Sequence, residues 1–337
     1  MKLKFPKLRT LFIILIIILI LLICIVIIKK NNNHSIPDLS DKHIVVYSCL
    51  REEETKSILE LFKEETNCSY EYIQLPTQEA ISRIEDEKNA PKADIFLSGS
   101  KLSLQKLEYS NSLAKYIPSN SKYINKNFKS KYGRWIAFEV HPFSIVINMN
   151  SWNKNFKNLK IPTTFEDLAN PNFKNAIVMP NPLTSGTGFS FLSHLYDSLG
   201  EEKYKKIIKQ IQENTGLLST RGYNVVQNVV SGEYPIGISY LSNVQLMQKT
   251  DPNFIIITPK NFGIDLHGVA IINKKTNLDT AKAFVNFIVS NKTQKRLKDF
   301  SYSTPILEAE TPKNSIESTE NNKENNSLNI WKEIQPQ

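Results

Sequence analysis

Residues 178–199 read Val-Met-Pro-Asn-Pro-Leu-Thr-Ser-Gly-Thr-Gly-Phe-Ser-Phe-Leu-Ser-His-Leu-Tyr-Asp-Ser-Leu. A short apolar strand, residues 176–179, runs into a loop of turn formers and hydroxyls. An amphipathic helix follows, with Phe189, Leu192, Leu195, Tyr196 and Leu199 on one face. Thr184, Ser185 and Thr187, spaced by Gly186 and Gly188, fall where the first backbone N–H groups of that helix lack an internal partner. A helix N-terminus carries about half a positive charge, so this loop suits an anionic or polar ligand held by amides and hydroxyls. Capping alone accounts for one hydroxyl; two glycines among three hydroxyls exceed what a cap needs. Other loops repeat the arrangement: Ser48-Cys49-Leu50-Arg51, Ser98-Gly99-Ser100, Ser219-Thr220-Arg221-Gly222, and the strand end at Tyr240.

These loops belong to a βα rhythm. Strand 44–47, helix 53–65, strand 70–74, helix 78–89, strand 93–97 and helix 101–109 form a first set. Residues 135–149 are extended and apolar, and Thr164 with Asp167 has the spacing of a capping box. A second set contains strand 176–179, the helix after Ser190, helix 201–213, strand 216–219, helix 223–231 and strand 236–240; strand 269–272 and helices 279–290 and 292–300 close it. Strands alternating with helices of this length predict a parallel α/β sheet covered on both faces. About 260 residues in two such sets predict two lobes, since one small core does not hold that many. In parallel sheets ligands meet the loops after the strands, so the candidate contacts are Ser48, Arg51, Ser98, Ser100, Thr184, Ser185, Gly186, Thr187, Thr220, Arg221 and Tyr240. Arg51 or Arg221, aimed into a closed cleft, would grip a phosphate, phosphonate or sulfate in bidentate fashion. The plainer alternatives are a solvated helix-start charge for Arg51, a salt bridge between lobes for Arg221 and a core position for Tyr240. His141, beside Pro142 in an extended segment, reads as structural.

Residues 11–28 are unbroken apolar sequence, about 27 Å of helix, close to the hydrocarbon thickness of a bilayer. Lys2, Lys4, Lys7 and Arg9 precede this run and only Lys29 and Lys30 follow it, so the positive-inside bias places residues 1–10 in the cytoplasm and the rest outside. An uncleaved transmembrane anchor is therefore expected, with a cleaved signal peptide and a lipoprotein site at Cys24 as rivals. Those six cations account for most of the net charge of +9 and leave +3 for the other 307 residues, too diffuse for a nucleic-acid partner. Cys49 and Cys68 are expected at opposite ends of one βα unit, beyond the roughly 7 Å that a disulfide bridges. Residues 29–42 read as a linker, and 306–337, rich in Glu, Asn, Ser and Lys, as a disordered tail.

From Ile44 to Pro305 the chain resembles the ferric-binding-protein branch of the extracellular solute-binding proteins that serve ABC importers. The resemblance is carried by Ile44-Val-Val-Tyr-Ser, Ala93-Asp-Ile-Phe-Leu-Ser-Gly-Ser, Trp135-Ile-Ala-Phe with Pro142, Pro182-Leu-Thr-Ser-Gly-Thr-Gly, Val230-Ser-Gly-Glu-Tyr-Pro-Ile-Gly-Ile-Ser-Tyr, Gly268-Val-Ala-Ile-Ile and Ala281-Lys-Ala-Phe-Val-Asn-Phe-Ile-Val-Ser. It implies the type 2 periplasmic-binding-protein fold: a domain at 43–305, with lobe 1 at about 43–147 and 268–305 and lobe 2 at about 148–267. The lobes would be joined by crossings near 138–148 and 264–270 and close like a hinge on a solute. Ferric sites of that branch use adjacent tyrosines with His and carboxylate; no Tyr-Tyr occurs here, and Thr220-Arg-Gly-Tyr-Asn stands in that region. A small anionic organic solute, a phosphorylated sugar or phosphonate, is expected ahead of ferric iron, with no cofactor or metal. The implied partners are an ABC permease and ATPase; the alternative is a ligand-sensing co-receptor for a membrane histidine kinase. Ser185 lacks a Gly-x-Ser-x-Gly setting and the five histidines lack metal-ligand spacing, so catalysis is not expected.

Overall fold

A computed structural model of the protein describes residues 16–20, 37–249, 251, 253–260, 262–309 and 322–335. The chain divides into two units, Met1–Asp38 and Leu39–Gln337. Residues 16–20 of the apolar run are helical; the remainder of the expected anchor, 11–28, lies outside the described residues. Among the described residues no helix is long and apolar enough to cross a membrane.

The second unit is built on ten strands: β1 (His43–Ser48), β2 (Ser69–Gln74), β3 (Ile95–Ser98), β4 (Ile136–Asn148), β5 (Ile177–Pro180), β6 (Thr215–Ser219), β7 (Ile236–Tyr240), β8 (Phe254–Ile257), β9 (Ile264–Ile271) and β10 (Thr304–Pro305). Their order is β2-β1-β3-β9-β4-β7-β5-β6, with β8 and β10 also paired to β4. The outer strands are parallel, β1 to β2 and β3, and β5 to β6 and β7. The centre departs from the expected all-parallel sheet, because β9 is antiparallel to β3 and β4, and β4 to β7 and β8. The physical reason is that β4 and β9 connect the two halves directly, and only a parallel neighbour needs a helical crossover.

β4 does this by length. Its thirteen residues reach about 43 Å at ~3.3 Å each. Residues up to Pro142 pair with β9, and Phe143 to Ile147 pair with β7. The hydrophobic cores divide at the same place: one contains Phe138 and Val140, the other begins at Phe143.

Helices cover both cores: α1 (Glu52–Thr66), α2 (Thr77–Asp86), α3 (Lys101–Tyr109), α4 (Met149–Asn155), α5 (Gly186–Leu199), α6 (Glu201–Asn214), α7 (Gly222–Val230), α8 (Leu241–Gln248), α9 (Leu278–Ile288), α10 (Asn291–Ser301) and α11 (Asn322–Ile334). α1 illustrates why they form. Acids occupy its first turn and Lys63 its last, favouring the dipole. Ile58, Leu59 and Phe62 bury one face, where Phe62 meets the rings of Phe284 and Phe287 at 5.0 and 5.2 Å. Asn67 ends the helix in the left-handed conformation at φ 59°. The Thr164–Asp167 pair makes the reciprocal bonds of a capping box, Asp167 N to Thr164 Oγ1 at 3.2 Å and Thr164 N to Asp167 Oδ2 at 2.9 Å, around a single 3₁₀ turn.

The tail expectation is corrected. Residues 322–334 form α11, whose Trp331 is fully buried and Ile330 nearly so in the second core. Tyr204 donates to the Ser327 carbonyl at 3.0 Å. Leu328, Trp331 and Ile334 recur every three residues, a narrow apolar stripe that the polar average of the segment conceals.

Candidate functional site

A cavity of about 220 Å³ opens between the two halves. It is small beside the ~300–1,000 Å³ pockets of drug-sized ligands. Five helices start at its wall: their N-cap residues Arg51 (α1), Pro76 (α2), Ser185 (α5), Arg221 (α7) and Tyr240 (α8) all line it. Only Ser185 caps with its side chain, accepting from Gly188 N at 3.5 Å; the other four have no side-chain cap. Uncapped first turns leave backbone donors and the positive dipole end facing the cavity.

The halves touch around this space. Gln78 N donates to the Thr184 carbonyl at 3.3 Å, and the Tyr240 hydroxyl donates to Asp265 Oδ2 at 2.6 Å with the Gly99 carbonyl 3.2 Å away. Gly186 permits the approach, since a Cβ there would lie 2.9 Å from the Thr77 and Ser100 hydroxyls; within the second half a Cβ on Gly222 would lie 2.5 Å from Thr187 Oγ1. Burial, followed by the Asp265 charge, raises the Tyr240 phenol well above its ordinary value.

Of the candidates from sequence, Arg51, Ser185, Thr187, Thr220, Arg221 and Tyr240 line the cavity; Ser48, Ser98, Ser100, Thr184 and Gly186 do not. The latter hydroxyls close loops. Ser48 shares a hydrogen bond with Thr55 at 2.7 Å and accepts from Leu50 N, Ser98 binds the Ser100 carbonyl at 2.9 Å, Ser100 caps α3, and Thr184 donates to the Thr220 carbonyl at 3.3 Å. The two arginines differ. Arg51 is buried, its Nη2 donating to the Ser301 and Phe300 carbonyls at 3.1 and 3.3 Å and lying 3.2 Å from Glu54 Oε2. Arg221 is half-buried; its carbonyl accepts from the Ser219 hydroxyl at 3.1 Å, and its guanidinium makes no hydrogen bond or ion pair among the described residues. Cys49 and Cys68 are free thiols. Cys49 lines the cavity, its thiol pushed up to about 12 chiefly by burial, against the pull of Thr77 and Arg221.

The sequence reading missed His267, on β9, which also lines the cavity. Its Nδ1 lies 3.4 Å from Glu54 Oε1 and 3.4 Å from Glu139 Oε2. Its ring stacks on His141 with centroids 3.5 Å apart, and His141 Nδ1 shares a hydrogen bond with Ser242 at 2.9 Å. Burial alone would depress His267, yet Glu139 and Glu54 outweigh it and raise the imidazole to about 9. His141 is driven well below its ordinary value by burial and then by the His267 charge, so the stack is one imidazolium on one neutral ring. Burial would raise Glu139, but the adjacent His267 keeps it ionised and below the usual range. A signal was present: Glu139-x-His141 and Asp265-x-His267 each place two polar residues on one face of an apolar strand.

Glu139, His141 and His267 offer ligand atoms within 4.8 Å of one another. The two rings are stacked, tilted by only 32° with centroids 3.5 Å apart, whereas a metal needs both lone pairs to converge at ~2.1 Å in each ring plane. The stacking suits a charge pairing of Glu139 with His267 better than an ion held by both rings.

The family described as bacterial extracellular solute-binding protein matches residues 90–328. The phosphoglycerate transport regulatory protein PgtC of Salmonella typhimurium is 23% identical over 245 residues, 70% of this chain and 60% of that protein. The fold superposes on the periplasmic binding protein AfuA of Actinobacillus pleuropneumoniae, solved with fructose-6-phosphate, at a TM-score of 0.76 and 22% identity over 87% of this chain and 96% of that one. Iron-bound HitA of Pseudomonas aeruginosa gives a TM-score of 0.73 at 17% identity, covering 88% of this chain and all of that one.

Proposed function

This chain belongs to the bacterial extracellular solute-binding proteins, and from that premise we propose that it captures a small phosphorylated or phosphonate solute by closure of its two lobes. Arg221 carries the reading. It stands at the wall of the cavity with no protein partner among the described residues, at the uncapped start of α7 and beside four other helix starts. Glu52 and Glu53 also line the cavity, and the Glu52 carboxyl is lowered by Lys56 first and by Arg221 through space. The Arg221 guanidinium nonetheless makes no ion pair or hydrogen bond among the described residues, and such a cation where backbone donors converge suits an oxyanion. PgtC and AfuA carry phosphoglycerate and fructose-6-phosphate in their descriptions, which agrees with that chemistry. The cavity tyrosines argue against ferric iron: the Tyr240 hydroxyl donates a hydrogen bond to Asp265, that of Tyr223 donates to Met247 Sδ, and the two are not neighbours in sequence. Arg221 would also repel a bare cation.

In this proposal ligand bridges both lobes and shifts the population toward closure, and the closed form engages an ABC permease and its ATPase. Residues 11–28 hold the domain at the outer face of the membrane. The regulatory description of PgtC favours a second outlet, a membrane sensor kinase that reads the closed form. Thermal unfolding of the full chain against fructose 6-phosphate, 3-phosphoglycerate, 2-aminoethylphosphonate, phosphate, sulfate and ferric citrate tests the ligand class. A ligand at one hundred times its Kd adds about 2.7 kcal/mol, a shift of roughly 5–10 °C. Stabilisation by ferric citrate alone would overturn the proposal.

A further inference from the structure

We propose that His267 is a ligand-contacting residue of the cavity: a donor, held at Nδ1 by two buried carboxylates, that presents its Nε2–H to the oxyanion of the solute. The inference rests on the reading of a phosphorylated or phosphonate ligand and adds a residue to its recognition. The argument is geometric. Glu54 and Glu139 both face Nδ1 at 3.4 Å, and the opposite nitrogen of an imidazole must then point away from them. Nε2 points toward Gly99 at the cavity wall, since a Cβ on Gly99 would lie 3.9 Å from it. Among the described residues no protein group accepts a hydrogen bond from Nε2, although both His267 and Gly99 line the cavity. The ring is packed by His141, stacked at 3.5 Å between centroids, and by Phe138 and Tyr240 at 6.3 and 5.9 Å.

A neutral histidine donates at one nitrogen and accepts at the other, so it can recognise a hydroxyl, an amine or an oxyanion. An imidazolium only donates. As the imidazolium, its form below about pH 9, His267 selects a ligand atom with lone pairs and rejects a protonated amine at the same place. The charged groups around it face one another inside the protein: Arg51 with Glu54, and Glu139 with His141 and with His267 itself. Asp265 on β9 accepts a hydrogen bond from the Tyr240 hydroxyl on β7. His267 lines the cavity together with Arg51, Arg221, Glu52 and Glu53.

Between pH 7.5 and 10 its shifted neighbours keep their charge: the Cys49 thiol is pushed up to about 12 and the Tyr240 phenol well above 10, Glu139 and His141 lie below their ordinary values, and a phosphate monoester is already a dianion, its second pKa being about 6. Loss of affinity in that window therefore reports His267.

The experiment is calorimetric titration of the full chain with fructose 6-phosphate, 3-phosphoglycerate and inorganic phosphate from pH 7.5 to 10, for the wild type and His267→Gln. ¹⁵N spectra of histidine-labelled wild type with and without the bound probe accompany it. The expected result is wild-type affinity that falls about tenfold per pH unit above about 9. His267→Gln should bind ~10–100-fold more weakly at pH 7.5, the worth of one charge-assisted bond, with a flat pH profile, and the Nε2 resonance should shift on saturation. The spectra stand alone if the variant does not fold. Wild-type binding with an unmoved Nε2 resonance, or with a variant of equal affinity and equal pH profile, overturns the role of His267 and leaves the ligand class intact. No binding of any probe by the wild type overturns both.

Discussion

Replacing Arg221 separates a ligand contact from a structural cation. Its guanidinium has no protein partner among the described residues, so Arg221→Ala removes no internal bond, and a change of that kind moves stability by about 0.5 kcal/mol at most. For the ligand the loss is larger. A charge-assisted hydrogen bond contributes about 1.5–3 kcal/mol, and a fork making two of them has a ceiling of ~3–6 kcal/mol. The side chain is half-buried, and solvent screening reduces this to about 2–3 kcal/mol, or roughly 30–150-fold in Kd. Arg221→Lys keeps the charge without the fork and should lose about a tenth to a third of that factor. Titration calorimetry with the tightest probe of the ligand panel measures the affinity, and a thermal melt of the unliganded protein measures the fold. Affinity of Arg221→Ala within twofold of the wild type would refute the reasoning. A melt lowered by more than about 5 °C would show instead that Arg221 supports the fold.

Other outcomes follow from the same geometry. Trp331→Ala empties a fully buried site in the second core and should cost about 3–5 kcal/mol, seen as a fall in Tm of roughly 6–15 °C; an unchanged Tm would detach α11 from that core. Gly186→Ala puts a methyl 2.9 Å from the Thr77 and Ser100 hydroxyls of the facing lobe, and should weaken ligand affinity and enlarge the liganded particle in small-angle scattering without lowering Tm. Cys49, with its pKa at about 12, should hold roughly a thousandfold less thiolate than an ordinary cysteine; peptide mass spectrometry after iodoacetamide at pH 8 should find it unmodified, and rapid labelling would refute its protonated state. His267 has a folded-state pKa raised from 6.5 to about 9. Its contribution is complete below pH 6.5 and is lost as pH rises through 9, about 3 kcal/mol in all, so the Tm difference between wild type and His267→Gln should shrink across that range.

The sequence by itself determined many of the elements and several of the residues that line the cavity. Strand 236–240 and helix 101–109 were read to the residue, because local periodicity is written in consecutive side chains. That Ser185, Thr187 and Arg221 line one cavity was legible because a strand followed by a helix places its connecting residues at a helix N-terminus whatever the rest of the chain does. Sequence also pointed to the family, through short motifs in order. Only the tertiary structure decided how β4 and β9 run against their neighbours, since strand direction follows from the path between lobes and leaves no mark on side-chain alternation. It also decided which polar residues work together. Ser48 and Ser98 have the same residue type as Ser185, yet they turn inward to hold their own loops. Glu54 and His267 stand 213 residues apart and meet across 3.4 Å. α11 escaped notice because its stabilisation comes from the groove on α5 and α6 that receives Trp331, not from its own composition. Proximity across a fold is set by packing, and a linear pattern carries it only where partners are neighbours along the chain.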